Sequence, residues 1–436
     1  MAEYFKNNYQ FLILCFLWVV TGMVGGTIAA SVIILASVIL LKRKELYQEI
    51  FLGLLVILIL SDSRYKPLAF VADVKVIYIP LLSVFLFFDR EKFTVFDKLV
   101  YLFTPFLLIA LFLIPFSDNW LISMQKFVSY ALLMFIASNY LIKIYQEKGS
   151  IFFKNIIYLF TLVLLLGLIL KYVNPDIATL KGRYRGIFGN PNGLGLFCTL
   201  FFLLYYVVHE YFPDLFSRVE KTVVYFVIIL SVFFSGSRST ITSIFIFLIF
   251  TRLYKLSPFL GFIILCLITI GYELVFINLT TMITSVGLDE YFRIQSLETG
   301  SGRNIAWSFA WEQIQHNFFL GKGFAYDELL FDKHYDELAI RGHQGNVHNS
   351  YLTIWINTGI MGLIFFMRGF FLAFLKGAKN SRLAFPVMFA VLFSANFESW
   401  LAASLNPFTV QLWIILTLLG SMEFNEKKNE DIVPVH

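Results

Sequence analysis

Charge is scarce in this chain. Of 436 residues only 14% are Asp, Glu, Lys or Arg, against about 25% in an ordinary soluble domain, which excludes a surface built to face water on every side. Cysteine is scarcer still. Cys15, Cys198 and Cys266 stand singly inside apolar runs, without metal or redox spacing, and read as small buried side chains. Nucleotide fingerprints are missing: there is no G-x-x-x-x-G-K-[ST] loop, no G-x-G-x-x-G turn and no D-x-D pair to hold a divalent ion under a nucleotide diphosphate. That argues against ATP or a soluble nucleotide sugar as ligand. The net charge of +5 points to no nucleic acid, since cations concentrated on one membrane face leave such a surplus.

Apolar residues fill the space. They make up 58% of the chain, with 51 phenylalanines and 22 tyrosines. Long apolar runs occupy 9–41, 48–60, 74–88, 97–115, 122–142, 152–171, 192–211, 222–235, 238–254, 256–279, 350–367, 384–397 and 407–422. The first holds Gly22, Gly25 and Gly26 and reads as one long helix or two short ones. It lacks a small-residue cleavage site and is expected to stay on the protein. The expectation is an all-α polytopic membrane protein of about 12–14 transmembrane helices with one large helical loop. Three parts follow: N-terminal spans over 1–279, a polar segment over 280–348, and C-terminal spans with a tail over 349–436.

Basic clusters set the orientation. Groups around Lys42, Arg90, Lys143, Arg218, Arg252, Lys376 and Lys427 all fall on one side if the spans alternate, and that side is expected to be cytoplasmic. The stretch 61–75, with Arg64, Lys66 and Lys75, is the exception. The opposite side, periplasmic or extracellular in a bacterium, receives the loop 172–190, the turn "SGSRST", the segment 280–348 and the turn at Glu398.

Four of six histidines lie on that outer side: His316, His334, His343 and His348. Their spacing makes no metal site. His348, in "GNVHNSYLTIW", stands at the mouth of a span, where its ring can reach a water-filled cavity. Arg183 and Arg185 lie in "KGRYRGIFGNPNGLG", Arg238 in a tight turn between spans, and Arg303 in the first turn of a helix expected to run to about Asn317. That helix is expected to carry Ser301 or Thr299 as its cap and to lie along the membrane surface. Guanidinium groups beside a bilayer often simply reach for lipid phosphate. Several of them converging with one histidine suggest instead a site for an anionic substrate at the bilayer surface. Glu398, in "NFESW", reads equally as an exposed loop acid, an alternative base or an orienting partner for His348. Asn190 and Asn192 read as turn formers, and Lys126 as an interface anchor.

The stretches "RGIFGNPNGLG", "SGSRST", "SGRNIAWSFAWEQIQHNFFLGKGF" and "HNSYLTIWINTGIMGL", in that order, resemble the O-antigen ligase and polymerase superfamily. The resemblance spans about residues 170–370; the earlier residues agree only in being a series of spans. It implies a metal-independent, cofactor-free glycosyltransferase of the GT-C type in the bacterial inner (plasma) membrane, acting at the periplasmic or exterior face. The implied donor is an undecaprenyl-diphosphate-linked oligosaccharide. The implied acceptor is the hydroxyl of another lipid-linked repeat unit (a polymerase) or of lipid A–core (a ligase). Membrane lipid and a chain-length regulator are further implied partners. Carried over residue by residue, Arg238 and Arg303 match arginines that hold the diphosphate, and His348 matches the catalytic base. His348 and Gly359 match a histidine–ten residues–glycine pattern, and Arg185, with Arg183 beside it, is a looser match. The forms "GNPNGLG" and "HNSYL" lean towards the polymerases, which makes an O-antigen or capsule repeat-unit polymerase the leading expectation. A flippase or transporter of lipid-linked glycan is the alternative from another class, against which stand the missing internal repeat and the gathering of ionisable groups at one surface.

Overall fold

The computed structural model describes residues 2–93, 97–286, 302–343 and 345–424. Each of the thirteen apolar runs is a helix: α1 (Ala2–Arg43), α2 (Tyr47–Ser61), α3 (Phe70–Phe88), α4 (Thr104–Leu113), α5 (Trp120–Lys148), α6 (Ile151–Val173), α8 (Pro191–Tyr211), α9 (Arg218–Ser235), α10 (Arg238–Arg252), α11 (Pro258–Val286), α15 (Ser350–Ala378), α16 (Ala384–Ala395) and α17 (Pro407–Gly420). A short α7 (Pro175–Ala178) lies in the loop before α8, and three helices lie outside the apolar runs: α12 (Arg303–His316), α13 (Tyr326–Lys333) and α14 (Tyr335–Ile340). Among the described residues seven helices are long and apolar enough to cross a membrane; α2, the Pro258–Tyr272 part of α11, α16 and α17 are apolar but shorter. This is an all-α polytopic membrane protein. The helix α11 continues past residue 279, where the first group of spans was expected to end, to Val286.

Glycines decide where the long helices break. Gly26 takes φ 69°, ψ −167° inside α1, and the Trp18 indole N–H donates to Ser37 Oγ at 2.8 Å. In a continuous helix these residues would stand about 28 Å apart. The first apolar run is therefore two helices folded against each other, with Gly26 at the fold. Gly359 breaks α15 in the same manner, with φ 68°, ψ 179°, a region open essentially to glycine alone.

Ion pairs and hydrogen bonds align one end of the bundle. Ser381 Oγ donates to Glu210 at 2.9 Å, Arg382 pairs with Glu210 at 3.2 Å, and Asn380 Nδ2 donates to the Leu419 carbonyl at 3.0 Å. These contacts bring together the ends of α8, α15 and α17 and the start of α16. From that level α10, α16 and α17, of 15, 12 and 14 residues, rise only about 18–22 Å. A hydrocarbon core is about 30 Å thick. Upright, the three helices are roughly 10 Å too short to cross it, and the turns at 236–237 and 396–406 at their ends read as the floor of a recess. Irregular backbone is tolerated at that depth only when buried in protein or lining a watery cavity.

The segment above the recess has its own small core. Ala306, Phe309, Ala310 and Ile314 of α12 pack with Leu330, Phe331, Leu338, Val347 and Ile356. The apolar side of α12 therefore turns into protein, where the sequence suggested a helix lying along the membrane surface. The N-cap is Gly302, at φ 74° and without a side-chain cap; Thr299 and Ser301 lie outside the described residues. A Cβ on Gly302 would come within 2.9 Å of the Gly342 carbonyl oxygen, so glycine is needed there for close approach as well as for its φ. Cys198 is buried, Cys15 is half-buried and Cys266 is exposed, so only one of the three fits the expectation of a buried side chain.

Candidate active site

His348 owes its position to the two residues that follow it. Its own φ is 51°, a left-handed value that histidine tolerates better than branched side chains do. Asn349 then caps α15, its Oδ1 accepting from the Tyr351 and Leu352 N–H groups at 2.9 and 3.1 Å. Ser350 Oγ donates to the Glu398 carbonyl at 2.6 Å and accepts from the Trp400 N–H at 3.0 Å. The Asn349 N–H donates to Ser399 Oγ at 3.1 Å. "HNS" and "ESW", fifty residues apart, are thus tied together at the floor of the recess.

That tie sets the Glu398 carboxylate between the His348 ring and the Arg303 guanidinium. His348 Nδ1 lies 3.0 Å from Oε2, and an Arg303 nitrogen lies 3.7 Å from Oε1. Arg303 also sits over the Phe397 ring at 5.3 Å. Burial works to raise the Glu398 pKa, but the adjacent His348 ring, Arg303 and the Asn192 amide outweigh it and hold the carboxyl below its usual range. Of the readings open to Glu398, the geometry favours the orienting partner: with Nδ1 held, Nε2 is the nitrogen left for a ligand. A Cβ on Gly345 would lie 3.2 Å from His348 Nε2, so glycine at 345 keeps that nitrogen uncrowded. The His343 ring stands edge-on to His348 at 5.8 Å, and burial followed by the neighbouring His348 lowers its pKa.

A two-residue hairpin supplies more positive charge. Thr179–Leu180 pairs with Arg183–Tyr184 across a turn in which Lys181 and Gly182 both have positive φ, the geometry that suits strand twist. Arg183 donates to the Ser235 carbonyl at 2.8 Å and to Asn192 Oδ1 at 3.1 Å. Asn192 therefore links Arg183 towards Glu398, a part the turn-former reading missed. Asn190 is the turn former it was expected to be, capping α8 through the Gly193 N–H. Arg185 instead donates to the carbonyls of Ile177 and Gly189 and holds its own loop. Arg238 opens α10, three residues beyond the Ser235 carbonyl that Arg183 holds.

Two cavities meet at this network. A cleft of about 790 Å³ is lined by Arg64, Lys181, Arg183, Asn192, His348 and Glu398 among others, with neither Arg238 nor Arg303 in its described wall. Arg64 is the residue the sequence missed. It counted there only as an exception to the cation bias, and that anomaly was the available signal. A second chamber, about 320 Å³, is lined by Asp62, Asp327, Glu328, Asn357, Glu398 and Trp400 among others. Glu398, Asn190 and Asn346 belong to both walls. Lys126 lines the chamber and pairs with Glu328 at 2.8 Å, where a lipid-facing anchor was expected. Among the described residues no group of three or more His, Cys, Asp or Glu is placed to hold a metal ion.

Gly359 locks the segment over these cavities. Around its break the backbone of α15 exchanges hydrogen bonds with the loop 317–323: Ile360 N–H to the Phe318 carbonyl at 2.9 Å, and Gly323 N–H to the Asn357 carbonyl at 2.9 Å. A Cβ on Gly359 would overlap the Phe319 carbonyl. This is the physical content of the ten-residue spacing from His348.

No curated protein matches the chain. The family model described as O-antigen ligase matches residues 223–367, a region that holds Arg238, Arg303, His348 and Gly359 and stops short of Glu398. Over residues 223–367, a third of its length, this multi-pass membrane protein is thus similar to the O-antigen ligase family.

Proposed function

We propose that the protein transfers glycan from a polyprenyl diphosphate to a sugar hydroxyl, with His348 as base and no metal ion, at the outward face of the inner membrane. The observation that carries this reading is the His348–Glu398–Arg303 cluster set between a cation-lined cleft and a polar chamber. The donor's diphosphate lies in the cleft and meets Arg64, Lys181 and Arg183. Arg303, behind Glu398, orients the cluster, and Arg238 supports the wall that Arg183 completes. In the transfer, the acceptor O–H gives its proton to His348 Nε2 as its oxygen bonds to the sugar C1. The C1–O(phosphate) bond breaks, and its electron pair leaves with the diphosphate. Fixed guanidinium groups favour that developing charge more in the transition state than in the ground state. A base of near-neutral pKa helps a weak nucleophile by roughly 10²–10⁴-fold.

The leading form is a repeat-unit polymerase, a reading that rests on "GNPNGLG" and "HNSYL". The family description as a ligase favours the second form, attachment to a terminal acceptor such as lipid A–core. Purified protein given only undecaprenyl-diphosphate repeat units, with EDTA present, separates them. A polymerase lengthens the glycan and releases undecaprenyl diphosphate, whereas a ligase is silent until a terminal acceptor is added. Loss of activity on adding EDTA would sink the metal-free mechanism. The family match and the clustering at one end of the bundle favour either enzyme over a transporter.

A further inference from the structure

The two cavities differ in charge as well as in size. Cations dominate the described wall of the cleft, whereas the chamber gathers Asp62, Asp327, Glu328 and Glu398 against Lys126, and Lys126 is already paired with Glu328. Asp327 is held in place from both sides: its N–H donates to Asn357 Oδ1 at 2.9 Å, and its Oδ1 accepts from Asn357 Nδ2 at 2.8 Å. The buried Trp400 indole N–H, at the chamber wall, has no hydrogen-bond partner among the described residues. An unpaired buried donor is costly unless a ligand or water meets it.

We propose that this chamber is the subsite for the acceptor sugar, and that its carboxylates admit neutral or amino sugars and reject acidic ones. The inference rests on the glycosyltransferase reading and deepens it. At about 320 Å³ the chamber is at the small end of ligand cavities, about 300–1,000 Å³, and so suits a single ring better than a chain. Carboxylates and amides on its wall match the alternating donors and acceptors of sugar hydroxyls. His348 lines the cleft, and Glu398, which holds its Nδ1 and belongs to both walls, joins the base to the chamber. Burial raises the pKa of Asp62, and raises that of Asp327 to about 7, so the like charge that a further anion meets comes chiefly from Glu398, which is held below its usual range. The same charge keeps a second diphosphate out of the chamber, which fixes which glycan gives and which receives.

The test uses full-length protein in lipid nanodiscs with no donor present. Glucose, glucosamine and glucuronate are titrated at millimolar concentration and binding is read by saturation-transfer NMR. Glucose and glucosamine are expected to bind, with glucuronate weaker by roughly tenfold or more, as like-charge contact requires. Ala403→Trp, which fills the chamber, is expected to abolish sugar binding and leave inorganic diphosphate binding intact. Glu328→Gln, at the rim, is expected to narrow the gap between glucose and glucuronate. Equal binding of glucuronate, or sugar binding that survives Ala403→Trp, overturns the inference. A chamber that binds no sugar in a protein that still transfers glycan overturns it too, and leaves the glycosyltransferase reading standing. Sugar bound as expected by a protein that transfers nothing would sink that reading instead.

Discussion

At the end of the bundle away from His348, four lysines each hold a carboxylate of their own. Lys42 pairs with Asp89 at 3.2 Å, Lys143 with Glu147 at 3.1 Å, Lys154 with Glu220 at 3.3 Å, and Lys92 with Glu45. At the His348 end a single carboxylate, Glu398, is shared by Arg303 and the His348 ring, and Arg64 and Lys181 face an open cleft with no ion pair to another described residue. Similar side chains therefore do different work. Paired surface charges do little beyond holding their own loops. A surplus of cations around a hollow is a demand for an anion, and the shape of the hollow says which kind.

The contrast is broken most sharply at His348. Substituting His348 with Ala should cut glycan transfer by roughly 10²–10⁴-fold while the melting temperature in detergent stays near wild type; a fully active variant would remove the base from the mechanism. Next comes Glu398→Gln, which keeps a hydrogen bond to the ring but removes the charge. Loss of the group that orients a working histidine should slow transfer by roughly 10–100-fold. The same change bears on stability. The Glu398 pKa is depressed from 4.5, so its contribution is full above that value and is lost as pH falls through the lower folded pKa. Thermal melts of Glu398→Gln should therefore lose part of the wild-type sensitivity to acid in that window.

Gly359→Ala probes the lock rather than the chemistry. Forcing a side chain into φ 68°, ψ 179° and onto the Phe319 carbonyl should destabilise by about 3 kcal/mol, visible as a lower melting temperature. Asp327→Asn should act through pH. The Asp327 pKa is raised from 3.8 to about 7, so its stabilising contribution is complete below the ordinary value and is lost as pH rises through about 7. Melts between pH 5.5 and 8.5 should be flatter in the variant. The smallest effect belongs to the other end: Arg382→Ala, which removes a largely exposed partner of Glu210, should change transfer by less than about twofold. A larger loss there would erase the distinction between the two ends.

Much of this molecule was legible because hydrocarbon imposes length and polarity on every span. All thirteen apolar runs became helices, and the glycines at 26 and 359 sit where the chain breaks. Composition could say where a helix lies but not how far it reaches across a bilayer, so the recess made by α10, α16 and α17 was not foreseen. The grouping of ionisable side chains was legible in part. His348, Arg303 and Glu398 are brought together, and Arg183 lines the cleft, while Arg185 is engaged by backbone carbonyls. Arg64 and Asn192 were not legible. Each acts across long stretches of sequence, and a short turn such as "GNPNG" carries the same residues whether its amide closes a loop or steadies a carboxylate.

The hydrogen bonds traded between the loop 317–323 and the broken helix at Gly359 have a consequence for motion. A segment fastened in its middle cannot swing as a lid; it can only open together with the upper half of α15. The amide hydrogens of Gly323 and Ile360, far apart in sequence, should then exchange with solvent at one common rate, as members of a single cooperative unit.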